Sequence, residues 1–481
     1  MPRMFQRFRR TAVGVGVVVG ASLITVAMAV PAGATTVAPG NTVLNEGGSQ
    51  TTYLMMQQLS DLYNSAPGCQ LLTASGNNQE LDYDCAASYS TAEPGSEEGY
   101  TLTYSSVNPY NDVAYQEPPL GSSNGIKELE LEGADTPSSA PDNDIASVDF
   151  ARSSRAAITS GSGDDKSGLN FVAYAADAVP WFHFTKVVAK KDGCTTTPSS
   201  KIKNLTTAQL ASIYNGDTTN WKSVGGTSAP IDVFIAQSGS GTESTWSTDL
   251  ALTGDYPYGG ATATATRLGL PATDFEIFEN EVSDIFTLSN KNPTDDIACD
   301  AIFFFSYGKY SILCSKGACA GTPNANKKSV SALGEINGVT ASKTTILNGS
   351  FALDRQLYNV YSDGSNSNLP FANNASGLPP LTSQAVQNFV STYGFLCNPT
   401  THDDVDPLSA TGETYGTEID AIITAQGFFP LTEAVEGDAS IPTPPDPGQS
   451  GYDANYAAAD PTPKGDKGYC RVTSTDGDGN D

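Results

Sequence analysis

Histidine is nearly missing from this 481-residue chain, which holds 2, and positive charge is scarce: 25 Lys and Arg stand against 53 Asp and Glu, a formal net charge of −28. So acidic a chain has no broad basic surface to track a phosphate backbone, which sets nucleic-acid binding aside. His183 sits among Trp181, Phe182 and Phe184, and His402 beside Thr401, Asp403 and Asp404. Both read as packing or surface residues, not as bases or ligands. A Ser/His/Asp set is also missing, so hydrolysis has no carrier and the chain is not read as an enzyme. No glycine-rich turn continues into Gly-Lys-Ser/Thr, so there is no P-loop. The 8 cysteines form no CxxC knuckles, and the terminal Asp476–Asp481 acids lack the glycine and glutamate of a calcium loop. No metal and no cofactor are expected.

There is one long apolar run, Thr11–Val30. It follows a basic start (Arg3, Arg7, Arg9, Arg10) and precedes Pro31-Ala-Gly-Ala34, the parts of a secretory signal peptide over residues 1–34. The protein is therefore expected outside the cytoplasm, secreted or held at the cell surface. An even set of cysteines in an exported chain favours disulfides.

What is present is a series of Gly/Ser/Thr turns at helix starts. A strand candidate at Thr42–Leu44 leads through Asn45–Thr52 into a helical stripe at Tyr53–Tyr63. Gly121-Ser-Ser-Asn-Gly-Ile-Lys127 opens a second helix. Ile231–Ala236 reads as a strand running into Gln237-Ser-Gly-Ser-Gly-Thr242 and a third helix. Free backbone N–H groups and the helix dipole make each such turn fit to cradle an anion, although Ser and Thr are also ordinary N-caps. Between the second and third lies Ser147–Arg155, a strand ending in two serines flanked by Arg152 and Arg155, whose forked guanidinium groups suit oxyanions. Further along, the pattern gives a helix over Leu205–Tyr214, a buried strand at Ala301–Tyr307, a strand at Gln356–Tyr361 and a helix at Ser383–Tyr393. Residues 436–481, rich in Pro, Gly and Asp, read as a tail that Cys470 can tie back to the body.

Taken in order, these segments resemble the phosphate-binding proteins of ABC phosphate transporters. Gly121–Lys127 is similar to that family's GSSGGVK-like turn, and Val148-Asp-Phe150 to its VDFGASDAP-like segment. Asn204–Trp221 is similar to its helix and turn ending in NW, Ser238–Thr242 to the end of its RSDGSGT loop, and Asp300–Tyr307 to its GAIGYVEY strand. The resemblance implies an α/β, two-lobed type II periplasmic-binding-protein fold with two crossover hinge strands, near Phe171–Phe184 and Ser350–Tyr361. It implies lobe 1 over residues 35–180 and 355–435, and lobe 2 over 181–354. Cys69, Cys85, Cys397 and Cys470 then belong to one lobe and Cys194, Cys299, Cys314 and Cys319 to the other, with every bridge inside a lobe. A bridge between lobes would oppose closure.

The same resemblance implies capture of inorganic phosphate or a related oxyanion by a monomer that delivers it to an ABC transporter permease. Its ligand set maps onto Ser49, Thr51 and Thr52, then Ser122 and Ser123, then Ser240, Gly241 and Thr242, with Ser154 in the intervening segment. Two charged positions depart from the family: Ala236, with Gln237 beside it, stands where its loop has Arg, and Ser154 where it offers an acid. Arg152 or Arg155 is the expected replacement for the lost cation. The alternative is a secreted or cell-surface interaction protein that keeps the fold without binding an anion.

Overall fold

A computed structural model describes residues 46–65, 121–131, 150–158, 165–188, 194–280, 282–292, 297–315, 318–319, 329–362, 386, 389–391, 394–398, 402–403, 405–406, 409–431 and 469–474. The expected signal peptide, the Thr42–Leu44 strand, and Cys69 and Cys85 lie outside them.

In chain order the elements that position the site are β1 (Glu46–Gly48), α1 (Tyr53–Ser65), α2 (Ser122–Leu131), β2 (Phe150–Ser153), β3 (Leu169–Ala178) and β4 (Trp181–Lys186). Then come α3 (Thr207–Tyr214), β5 (Asp232–Val233), β6 (Ile235–Ala236), α4 (Gly241–Asp249), β7 (Glu276–Ile277) and β8 (Ala301–Phe304). The last are α5 (Tyr307–Leu313), β9 (Val330–Leu333), β10 (Asp354–Ser362), α6 (Tyr415–Ala425), β11 (Phe429–Pro430) and β12 (Arg471–Ser474). Six strands make one sheet in the order β1-β2-β10-β3-β11, with β12 also on β3, and four make a second in the order β9-β4-β8-β5. Helices and strands alternate along the chain, which is the α/β pattern expected from the sequence.

Alternation along β3 builds two faces of the first sheet. Val172 and Tyr174 pack with Met55 and Leu59 of α1 and Ile419 and Ile422 of α6, while Phe171 and Ala173 pack with Ile126 and Leu129 of α2. The second sheet carries an aromatic core in which Trp181, Phe182, Phe184, Trp246, Phe303 and Phe304 are buried. The run Ala301–Tyr307 is thus core, as its composition predicts, but the strand ends at Phe304 because Ser306 caps α5 through Lys309 N. Ile231–Ala236 is likewise split: β5 pairs with β8 and β6 with β7, and between them Phe234 N donates to Ile302 O at 2.9 Å.

The chain leaves the first sheet at Ala178 and enters the second at Trp181, and β10 brings it back, pairing antiparallel with β3 over its whole length. These two passages are the crossovers. The disulfides Cys194–Cys299 and Cys397–Cys470 each join parts on the same side of them, and Cys314, also disulfide-bonded, lies in register opposite Cys319. Cys470 ties the expected tail back to the body, and residues 471–474 form a strand that the sequence reading did not include. Tyr469 stacks on His402 at 3.8 Å between ring centroids, Cys470 is bridged, and β12 extends the first sheet along β3, because its alternation fits the register left beside β11.

Both histidines are packed. His183 lies 2.8 Å from Ser199 Oγ through Nδ1 and against the Trp181 ring, and burial holds its pKa down to about 3. The folded value lies below the unfolded one near 6.5, so its contribution is whole above about pH 6.5 and is lost as pH falls toward 3, on the order of 5 kcal/mol in full. Urea midpoints measured from pH 7 to 3.5 are expected to fall more steeply for the native protein than for His183→Phe. Parallel pH profiles would remove His183 as the source.

Candidate functional site

Three loops deliver hydroxyls to one place. In the first, β1 ends and Ser49 N is fixed on Arg152 O at 3.0 Å, which sets the turn before α1. The strand here is Glu46–Gly48, inside the segment read from the sequence as turn, because residues 46–48 pair in parallel with residues 150–152. In the second, Gly121 N donates to Gly48 O at 2.9 Å, so the first two turns are stitched together. Gly121 has φ +94°, and a Cβ there would lie 2.5 Å from Gly239 O, so only glycine brings the second and third turns this close. In the third, Ser240 caps α4, its Oγ accepting from Thr242 N at 3.1 Å and Glu243 N at 3.2 Å.

The point of convergence is a cluster of buried serines. Ser49 Oγ donates to Ser154 Oγ at 3.1 Å, Ser154 Oγ lies 3.3 Å from Ser122 Oγ, and Ser154 N donates to Ser122 Oγ at 2.9 Å. Gly241 closes over them from α4: a Cβ on it would lie 2.2 Å from Ser122 Oγ and 2.5 Å from Ser154 Oγ. The loops leading into α1, α2 and α4 therefore meet at the same cluster, with Ser123 N already taken by Gly239 O and the Thr242 and Glu243 N–H groups by Ser240 Oγ.

Direct bonds hold the two sides of this cluster together. Ser123 N donates to Gly239 O at 3.0 Å, Thr245 Oγ1 to Ser154 O at 3.3 Å, and Gln237 Nε2 to Gln50 Oε1 at 2.8 Å. Asn280, in the left-handed region at φ 67°, donates from Nδ2 to Thr51 Oγ1 at 3.4 Å and accepts Ser306 N on Oδ1 at 3.0 Å.

The charged residues fall out differently from the sequence reading. Arg152 does not face the serines: its Nη1 pairs with Glu46 Oε1 at 2.8 Å and its Nε donates to Ser49 O at 3.2 Å, with both side chains fully buried behind the first turn. Arg155 forks onto Asp165 at 2.7 and 2.8 Å and donates from Nε to Ser123 Oγ at 2.9 Å, so it supports the second turn from its far side. Ser240 spends its own hydrogen on Glu279 Oε2, which makes it a cap and not a donor to a ligand. Thr52 Oγ1 turns back to Ser49 O at 3.3 Å. Of the residues expected from sequence, Ser49, Ser122, Ser154, Gly241 and Thr242 meet at the convergence, with Thr51 and Ser123 at its edge.

Sequence reasoning missed Arg355. It opens the returning crossover β10, and its Nη1 donates to Thr242 Oγ1 at 2.8 Å and Ser154 O at 3.1 Å. Its Nη2 pairs with Asp177 Oδ2 at 2.8 Å. Asp177 was the available signal, as the one charged residue within β3. Burial pushes the Glu243 carboxyl up despite the hydrogen bond from Tyr258 Oη at 2.6 Å, and burial lowers the Lys309 ammonium to about 8 against the pull of Asp177 and Glu279. The site thus mixes both signs and is lined with hydroxyls and dipoles.

Residues 73–410 match a family described as the PBP superfamily domain. The chain belongs to the PBP superfamily. Solved structures similar to this member of the superfamily include an ABC-type phosphate transport receptor from Vibrio cholerae, 16% identical over 67% of this chain and 88% of that one, with a TM-score of 0.36. PstS from Borrelia burgdorferi is 17% identical over 82% of this chain and 100% of its own, at 0.34. A phosphate-binding protein from Stenotrophomonas maltophilia is 13% identical over 81% and 91%, at 0.35. Among the described residues of this superfamily member no helix is long and apolar enough to cross a membrane.

Proposed function

We propose that this protein is an exported solute-binding protein that captures a tetrahedral oxyanion, phosphate or a close relative, between its two lobes and delivers it, as a monomer, to the permease of an ABC importer. The observation that carries the reading is the meeting of three helix N-termini on Ser49, Ser122, Ser154 and Gly241. Serine hydroxyls are donors, and donors converging in a dry place are what an oxyanion needs. An arriving anion replaces the serine–serine bonds with its own and leaves the lobe-to-lobe bonds to close over it. No step of chemistry is part of this role.

The test is isothermal titration of the mature protein, stripped of carried-over ligand by unfolding and refolding, with phosphate, sulfate, arsenate and molybdate in turn. Binding of at least one is expected, weakened about tenfold or more by Ser122→Ala, since charge-assisted hydrogen bonds are worth roughly 1.5–3 kcal/mol each. Silence with all four anions would favour a surface protein that keeps the fold and uses its exterior. The observation on that side is that the three hydroxyls already satisfy one another at 3.1 and 3.3 Å.

A further inference from the structure

We propose that Arg355 is the positioning residue of the oxyanion site: from the returning crossover strand it fixes Thr242 as a hydrogen-bond donor and, holding Ser154 O with the same nitrogen, ties that donor to closure of the lobes. The inference rests on the oxyanion reading above.

The chemistry is one of hydrogen-bond direction. A guanidinium has five N–H donors and no acceptor, whereas a threonine hydroxyl has one hydrogen to give. Thr242 Oγ1 therefore accepts from Arg355 Nη1 at 2.8 Å, and its own hydrogen must point to another acceptor. Thr242 lies in the first turn of α4, next to Gly241 and the serine cluster, so that acceptor is the anion.

The guanidinium can be this selective because it is itself immobile. Its opposite edge, Nε and Nη2, lies on Asp177 Oδ2 at 3.2 and 2.8 Å, and Asp177 stands in register with it on β3. Asp177 is in turn held by Ser306 Oγ at 2.8 Å and Gly308 N at 3.0 Å. A planar fork pinned on one edge aims the other edge in one direction. Arg355 also touches one loop from each side of the crossovers, Ser154 from the first sheet and Thr242 from α4, which makes its two Nη1 bonds compatible only with closed lobes. Arg152 and Arg155 cannot do this work, being committed to Glu46 and Asp165.

The experiment is a double-mutant cycle on phosphate affinity with Arg355→Lys and Thr242→Val, each checked for a cooperative thermal transition. Lysine keeps the charge and the Asp177 pair but has no planar fork to hold three acceptors. Each single change is expected to weaken binding about tenfold or more, and the double no further than the worse single, because both remove one device. A purely structural Arg355 predicts independent, multiplying losses, and that result overturns the proposal, as does unchanged affinity in Arg355→Lys. If Arg355→Lys does not fold, Arg355→Gln with Asp177→Asn keeps a neutral hydrogen-bonded pair at the crossover and takes its place in the cycle. A native protein that binds none of phosphate, sulfate, arsenate or molybdate overturns the oxyanion reading itself, and this proposal with it.

Discussion

Gly241→Ala is expected to weaken oxyanion binding roughly 10- to 100-fold while leaving the fold intact. Gly241 is the first residue of α4, where alanine is the better helix former, so backbone conformation gives no reason for loss. The added methyl meets three atoms at once: Ser122 Oγ at 2.2 Å, Ser154 Oγ at 2.5 Å and Ser122 Cβ at 2.9 Å. Ser122 Oγ cannot swing aside without losing Ser154 N, which donates to it at 2.9 Å. Relief must come from withdrawing α4 from the serines, which opens the lobes. Overpacking of this kind costs about 1–3 kcal/mol, and here the cost falls on the closed form alone. Titration with phosphate beside a thermal melt separates the two effects; affinity within threefold of the native protein would show that the turns do not close on one another to bind.

Arg152→Ala is expected to act on stability, lowering it by about 3–5 kcal/mol, because it strands a buried carboxylate. Glu46 and Arg152 are fully buried, and no solvent is at hand to take up the charge. Burial already pushes the Glu46 pKa up, with Arg152 as its main counterweight. Without the arginine, Glu46 takes a proton or the strand pair β1–β2 opens, and the bond to Ser49 O and the contact over the Tyr53 ring are lost as well. Replacing both partners, as in Glu46→Leu with Arg152→Met, is expected to restore most of the loss, since an apolar pair carries no desolvation penalty. Guanidinium unfolding midpoints at constant slope decide this. Were Arg152→Ala to lose anion affinity and keep its midpoint, the arginine would belong to the ligand after all.

Much of this was legible in the sequence, and the divide is physical. Apolar periodicity is local, and it led to β10, to α3 within the stretch read as Leu205–Tyr214, and to the buried run at Ala301–Phe304. The Gly/Ser/Thr turns were legible too, because each is written in consecutive residues. Partner choice was not. Arg152 and Arg155 flank the serines in sequence, yet Arg152 lies within β2 and Arg155 in the bend beyond it, and each found a carboxylate on its own side. Arg355 lies 201 residues from Ser154 and 113 from Thr242, and only the return of the crossover brings it to them. That Ser240 spends its hydrogen on Glu279 was hidden in the same way, since Glu279 comes from a different loop.

The strand β3 leads into a crossover and also lies where a sheet would otherwise end. One of its sides is covered by β10, and the other by β11 and then β12, which follow one another along residues 170–176. An uncovered edge of this length, rich in Phe, Val and Ala, is a template on which a second chain can add a strand. The bridge from Cys470 to Cys397 fastens β12 in place beside it. Residues 471–474 thus act as a selvedge, keeping the crossover strand from being taken up by a neighbour as the start of an aggregate.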